Sequence, residues 1–252
     1  MGDMMRIRTF LAATSICLLA AGPVSALVVV NADFNSTTTS PPYANPPSGT
    51  YSGTAAAPDP GTIWNGLGIG AQGTLNATYT SGTLSASDGS STPVTVTLND
   101  YATYDVQGAN GAGAGVAQAL LNDFAYDFNN LTAPASTFSI SGIPTAVTYT
   151  YDLYIYSGGG SFGNSTSFTI GATTLTLSGG PFATFDDATS DGVGNYIKFS
   201  SPPVTLGTIS GSWTGSNSRF SGFQLAFDVP EPTSLAALAF VSTVFIGRRR
   251  GR

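Results

Sequence analysis

The chain has 252 residues, of which 42% are hydrophobic and only 9% charged; eight Lys and Arg against fourteen Asp and Glu give a net charge of −6. There is no histidine, and the single cysteine is Cys17. So few cations argue against a nucleic-acid partner, because phosphate neutralisation needs several Lys or Arg. The lack of His excludes Ser-His-Asp and Cys-His catalysis and His-ligated zinc.

Residues 1–26 read as a secretory signal. Arg6 and Arg8 supply a positive n-region, Thr9–Ala21 an apolar h-region, and Val24-Ser25-Ala26 a small-residue cleavage site. The apolar run is thirteen residues, short of the ~20 that a spanning helix needs. Export through the Sec translocon and cleavage after Ala26 are therefore expected. Cys17 lies inside the h-region and is followed by Leu18 and Leu19, which is not a lipid-attachment site. The processed chain would contain no disulfide and would stand on its core alone.

Residues 27–228 form the body, with twelve Asp against one Lys (Lys198) and one Arg (Arg219), a net charge of −10. Alternating runs dominate. Val147–Tyr156 places Val147, Tyr149, Tyr151, Leu153 and Ile155 on one face, with Tyr154 and Tyr156 on the other. Gly222–Asp228 turns Phe223, Leu225 and Phe227 inward. Further strands are predicted at 27–32, 73–79, 94–98, 137–140, 167–170, 173–177, 196–199 and 209–213, separated by Gly, Pro, Asn and Asp turn signals. One amphipathic helix is predicted over Val116–Phe124, burying Leu120, Leu121 and Phe124. Many short half-buried strands predict an all-β fold, an antiparallel two-sheet β-sandwich with one short helix.

Few residues in the body point to chemistry. Gly68–Gly73 satisfies G-x-G-x-x-G by letter, but a dinucleotide site needs that motif to open a helix, and 74–79 reads as a strand. Gly108–Gly115 precedes the predicted helix without the Lys-Ser/Thr that would reach a phosphate. Both are read as turns. Asp33, Asp100, Asp105, Asp123, Asp127 and Asp152 are available for glycoside hydrolysis, but no pair is marked out. A Ser–Lys dyad would require Lys198, which sits in a strand-like run. The chain is accordingly read as non-enzymatic. Asp186, Asp187 and Asp191, with Asn195, crowd one loop, where hard oxygen ligands could hold Ca²⁺. The EF-hand spacing is absent, and a solvated acidic turn is the plainer alternative.

Exposed aromatic rings are the usual platforms for sugars. Trp64, in a Gly-rich stretch that reads as a loop, and Tyr154 and Tyr156, opposite the core face, are the glycan-binding candidates, with both tryptophans buried in the core as the plainer reading. Strand parity leaves the direction of Trp213 open. Threonines spaced two apart (Thr95/Thr97, Thr148/Thr150, Thr174/Thr176) share strand faces and raise ice binding as a minor alternative, although no fixed period recurs.

The tail, 229–252, has three parts in order. Val229-Pro230-Glu231-Pro232 contains the only glutamate of the chain, fourteen mostly apolar residues (234–247) follow, and Arg248, Arg249 and Arg250 close the segment. The apolar run would reach about 21 Å as a helix, so spanning a ~30 Å hydrocarbon core requires its flanks. The arginines would hold the end on the cytoplasmic side, leaving the body outside. This arrangement closely resembles the PEP-CTERM sorting signal of Gram-negative bacteria. That resemblance implies an exosortase as processing partner at Pro230-Glu231-Pro232, an inner-membrane intermediate, and delivery to the cell surface or extracellular matrix.

Asn31-Ala32-Asp33-Phe34-Asn35 after a strand, Tyr51–Asn65 and Thr137–Tyr156 resemble secreted planctomycete-type proteins with galactose-binding-like jelly-roll bodies. In that fold a strand ends in a Gly-Ile-Pro-like turn and a Tyr-rich strand returns beside it. The expectation is an exported surface or matrix protein with a structural or adhesive role, with extracellular polysaccharide the candidate partner. The alternatives are a carbohydrate-binding module, then an Asp-dependent glycoside hydrolase or an ice-binding protein.

Overall fold

The structure is a computed structural model that describes residues 25–37, 48–53, 63–105, 120–121, 123–127, 135–145, 150–157, 165–178, 185–215 and 218–230. Fourteen strands are described: β1 (Ser25–Ser36), β2 (Ser48–Tyr51), β3 (Trp64–Gly70), β4 (Ala77–Thr80), β5 (Thr95–Asp105), β6 (Asp123–Tyr126), β7 (Ser136–Ser141), β8 (Tyr151–Tyr156), β9 (Ser165–Ile170), β10 (Thr173–Ser178), β11 (Tyr196–Ser200), β12 (Ile209–Thr214), β13 (Arg219–Phe220) and β14 (Gly222–Pro230). The unit Leu27–Val229 is all-β. Among the described residues only Leu120 and Leu121 are helical; Phe124, expected at the end of that helix, lies instead in β6.

Two sheets form. One has six strands in the order β11-β8-β14-β1-β3-β2; the other has eight, in the order β10-β9-β12-β7-β5-β6-β13 with β4 also on β5. Most neighbours pair antiparallel, but β1 and β3 run parallel, Phe34 beside Leu67. This departs from the purely antiparallel expectation. A parallel neighbour needs a crossover rather than a hairpin, and β2 lies within that connection, antiparallel on the far side of β3.

Side-chain alternation joins the sheets. Leu153, Ile155, Phe223, Leu225 and Phe227 project from the six-stranded sheet into one core with Val96, Leu98, Phe138, Ile140, Phe168 and Trp213 from the other. Trp213 is fully buried, which resolves the parity that its strand left open. Phe220 is the hub. Its ring lies 4.8 Å from Phe34, 5.2 Å from Phe138, and 5.3 Å from both Phe168 and Trp213, each contact edge-on. Edge-on rings place a positive rim on a negative face, which adds to the area they bury. Gly211 faces this cluster: a Cβ there would sit 2.5 Å from the Phe138 ring.

The Gly-Ile-Pro turn is present after β7. Gly142 has φ +77°, and a Cβ would lie 2.1 Å from the Pro93 carbonyl oxygen, so no other residue fits. The Tyr-rich strand does not return beside β7, however. β8 pairs with β11 and β14 in the opposite sheet, while β7 lies between β12 and β5. The turn therefore carries the chain from one sheet to the other, and the apolar rows of both strands meet across the core instead of side by side.

Replacing the hub ring tests this packing. Phe220→Ala is expected to cost about 3–5 kcal/mol of unfolding free energy, and Phe220→Leu distinctly less. Both are read from denaturant midpoints at constant m-value.

Candidate functional site

The candidate aromatic platform is not on the surface. Trp64 is the first residue of β3 and only 1% exposed; Tyr154 is 7% exposed and Tyr156 is fully buried. Strand parity does put Tyr154 and Tyr156 opposite the main core, but that face is also covered. Trp64, Val29, Leu120, Leu121, Tyr154, Tyr156 and Ala226 form a second apolar cluster. Trp64 meets Tyr156 nearly edge-on at 6.0 Å. Around Trp64, Tyr154 and Tyr156 the six-stranded sheet is thus buried on both faces, which removes these three residues as glycan platforms.

Between the rings lies a polar layer that sequence reasoning missed. Gln224 donates from Nε2 to Asn31 Oδ1 (2.8 Å) and accepts from the Tyr156 hydroxyl. Asn31 Nδ2 donates to the Ile63 carbonyl at 3.0 Å. The Tyr51 hydroxyl donates to Asp33 Oδ2 at 2.6 Å. Asp123 Oδ2 accepts the Ser36 amide at 3.2 Å, bringing a second buried carboxylate to the same strand, β1. Burial, followed by the Asp33 charge, pushes the Tyr51 phenol far above its ordinary value. Burial likewise raises Tyr79, Tyr101 and Tyr196. The signal available in the sequence was the run Asn31, Asp33, Asn35, polar at every second residue of a strand whose other face is apolar.

The remaining carboxylates do local work. Asp187 Oδ1 accepts the Thr189 amide and Asp191 Oδ1 the Val193 amide, both two residues on. Asn195 Oδ1 accepts the Asp186 amide. Among the described residues no three His, Cys, Asp or Glu groups come together to hold a metal ion. The Asp187 and Asp191 side chains thus each close a local turn, and Asn195 closes another onto the Asp186 amide. Asp100 is exposed at φ +56°, and Asp127 is buried. Asp152 pairs with Lys198 at 2.9 Å, and this contact holds the Lys198 ammonium above its ordinary value.

The outer face of the eight-stranded sheet is different in kind. From β10 across β9, β12 and β7 to β4 and the Thr95–Asn99 part of β5, its exposed and half-buried positions are Ser, Thr and one Asn, aligned across strands; on β6 and β13 Tyr126 and Arg219 take that side. Thr174, Thr169, Ser212, Thr137, Asn99 and Thr78 stand in register on β10, β9, β12, β7, β5 and β4. Ser210, Ser139, Thr97 and Thr80 form a second row. Neighbours are hydrogen-bonded: Thr169 to Thr174 at 2.9 Å, Ser167 to Thr176 at 2.7 Å, and Thr80 to Thr97 at 3.1 Å. Two of the three noted threonine pairs fall here; Thr148 lies outside the described residues, and Thr150 donates to Asp228 at 3.1 Å. A separate cleft of about 210 Å³ opens between the sheet edges, floored by Ile170, Leu175, Phe199 and Pro203 and flanked by Thr189 and Lys198.

At the ends of the body, β1 starts at Ser25, one residue before the expected cleavage at Ala26, and β14 runs through Val229 to Pro230. The n- and h-regions, Glu231, Pro232, the apolar run and Arg248–Arg250 lie outside the described residues. Among the described residues no helix is long and apolar enough to cross a membrane. No family model, no curated protein and no solved structure matches the chain.

Two outcomes follow for the buried layer. Trp64→Ala is expected to lower stability by about 3–5 kcal/mol, as a core truncation does, measured by chemical denaturation. The buried tyrosines keep their protons in the fold, whereas in the unfolded chain they ionise near the ordinary value of 10.0. Above that pH the unfolded state binds fewer protons, so stability falls as pH rises. Tyr51→Phe should cost about 1.5–3 kcal/mol at neutral pH by removing a bond to a charged group, and should flatten the alkaline loss in a pH series of melting curves.

Proposed function

We propose that this chain is an exported cell-surface or extracellular-matrix protein, sorted by its C-terminal tail, with a structural or adhesive body that performs no catalysis. The observation that carries the reading is the ordered tail: Val229-Pro230-Glu231-Pro232, fourteen mostly apolar residues, then Arg248-Arg249-Arg250, in a chain that opens with a signal sequence. Each part has a physical task. The signal directs the chain to the Sec translocon, the apolar run halts it in the membrane, and the arginines keep the end on the cytoplasmic side. The Pro-Glu-Pro break between body and anchor is then open to an exosortase on the outer side.

The body supports the same reading. β14 ends at Pro230, so little chain separates the sheet from the processing motif. The acidic, cation-poor composition avoids adhesion to nucleic acid, and a surface of hydroxyls suits a hydrated polysaccharide setting. We propose a galactose-binding-like jelly roll for the sandwich on the resemblance of the Asn31–Asn35 segment, with the Tyr-rich strand β8 in the sheet opposite β7 rather than beside it. Extracellular polysaccharide is the partner that both resemblances favour. Calcium is not required by this reading.

The test follows the tail in cells. The full chain with a C-terminal epitope tag should lose the tag and leave the inner membrane when the exosortase is present. Glu231→Ala should leave most of the chain intact and membrane-bound, as should exosortase deletion. An intact, membrane-held wild-type chain in exosortase-positive cells would overturn the proposal.

A further inference from the structure

The outer face of the eight-stranded sheet has a property that the rest of the body lacks. On β10, β9, β12, β7, β4 and the Thr95–Asn99 part of β5 the outward rows are hydroxyl or amide, without a charged or aromatic side chain, although the body as a whole carries −10; Tyr126 and Arg219 occupy the outer side only beyond them, on β6 and β13. The row Thr174–Thr169–Ser212–Thr137–Asn99–Thr78 crosses six strands at a single level. With strands ~4.8 Å apart, it presents one polar group per step over roughly 24 Å. Thr169 and Thr174 bond each other at 2.9 Å, and Asn99 Nδ2 reaches Thr137 Oγ1 at 3.5 Å. Such bonds fix side-chain rotamers and leave further capacity, since each hydroxyl offers one donor and two acceptor positions. The opposite side of the same strands is the aromatic core, so the rows rest on a rigid support.

We infer that this hydroxyl row is a binding surface for an extended, uncharged polysaccharide, whose sugar units lie across the strands and exchange hydrogen bonds with Ser212, Thr137 and their neighbours. The inference rests on the proposed placement of the body among matrix polysaccharides and names the surface that would meet them. Charge selects the occupant: an acidic polymer is repelled by the body, and a neutral one is not. Shape selects it further. Adjacent strands rotate by about 20–25°, so six strands turn through roughly 100° and a flat, rigid lattice such as ice touches only part of the row. A chain of linked rings can follow the twist. With no aromatic ring in the row itself, each sugar contributes little, and binding accumulates only along a polymer.

The test uses the full chain in mild detergent against dextran, cellohexaose and maltohexaose, with glucose and alginate for comparison, read by affinity electrophoresis and calorimetry. At least one neutral oligomer or polymer should bind, at least tenfold more tightly than glucose, while alginate should not. The triple variant Thr169→Val, Ser212→Ala, Thr137→Val keeps β-forming residues at half-buried or exposed positions and should weaken that binding at least tenfold with an unchanged melting temperature. Should the triple variant lose stability, Ser212→Asp alone must produce the same loss of binding. No neutral probe binding, binding equal in the variants, glucose as good as the polymers, or alginate preferred would each overturn the inference. Inhibition of ice growth that disappears in the same variants would assign the face to ordered water and overturn it as well. A chain still processed at Pro230-Glu231-Pro232 that binds no polymer would remove this surface alone; an unprocessed chain that binds would remove the sorting reading alone.

Discussion

The ring of Phe220 touches four other aromatic rings, and the closure of the sandwich depends on that contact. Phe34 reaches it from the six-stranded sheet, and Phe138, Phe168 and Trp213 from the eight-stranded one. The body contains no cysteine and few opposite charges to pair, so burial of apolar and aromatic area must supply most of its stability. A β-sandwich suits that constraint because every strand delivers half of its side chains to the shared core. The short β13, two residues long, supplies this ring.

The six-stranded sheet carries a further constraint. Both its faces are covered along β8 and β14, which have almost no exposed position. Tyrosine and tryptophan fill the second face, and the tyrosine hydroxyls find partners there, Gln224 for Tyr156 and Asp33 for Tyr51, whereas Trp64 Nε1 is buried without a hydrogen-bond partner. Satisfied polar groups of this kind cost little when paired and a great deal when one partner is removed. The layer therefore fixes which residues may cover the sheet. It also explains why the aromatic residues that looked suited to a ligand are committed to the fold.

The eight-stranded sheet resolves the same problem in the opposite sense. Its inner face is apolar, and its outer face from β10 to β4 is left to hydroxyls. Thr suits such a position because it packs well on a pleated surface while offering a hydroxyl. Each single Thr is unremarkable in this light. What the fold adds is registration, since strands far apart in the chain place Thr174, Ser212, Thr137 and Thr78 in one row.

The alternation of the sequence by itself determined the all-β class, most strand positions, and the inward direction of Leu153, Ile155, Phe223, Leu225 and Phe227, because a period of two follows from backbone geometry alone. The parts of the tail, 229–252, are contiguous, so the sorting proposal rests on the sequence alone. Four strands escaped: β2 and β13 are short, β6 had been taken for the end of a helix, and β3 hides its alternation behind glycines, with Leu67 and Ile69 as the only clue. Whether the face opposite the core met water was a matter for tertiary structure. Tyr154 and Thr97 both lie opposite the core on their strands, yet one is buried and the other half-exposed. Period two states which residues share a face, but only the packing of distant segments decides whether a second layer covers it.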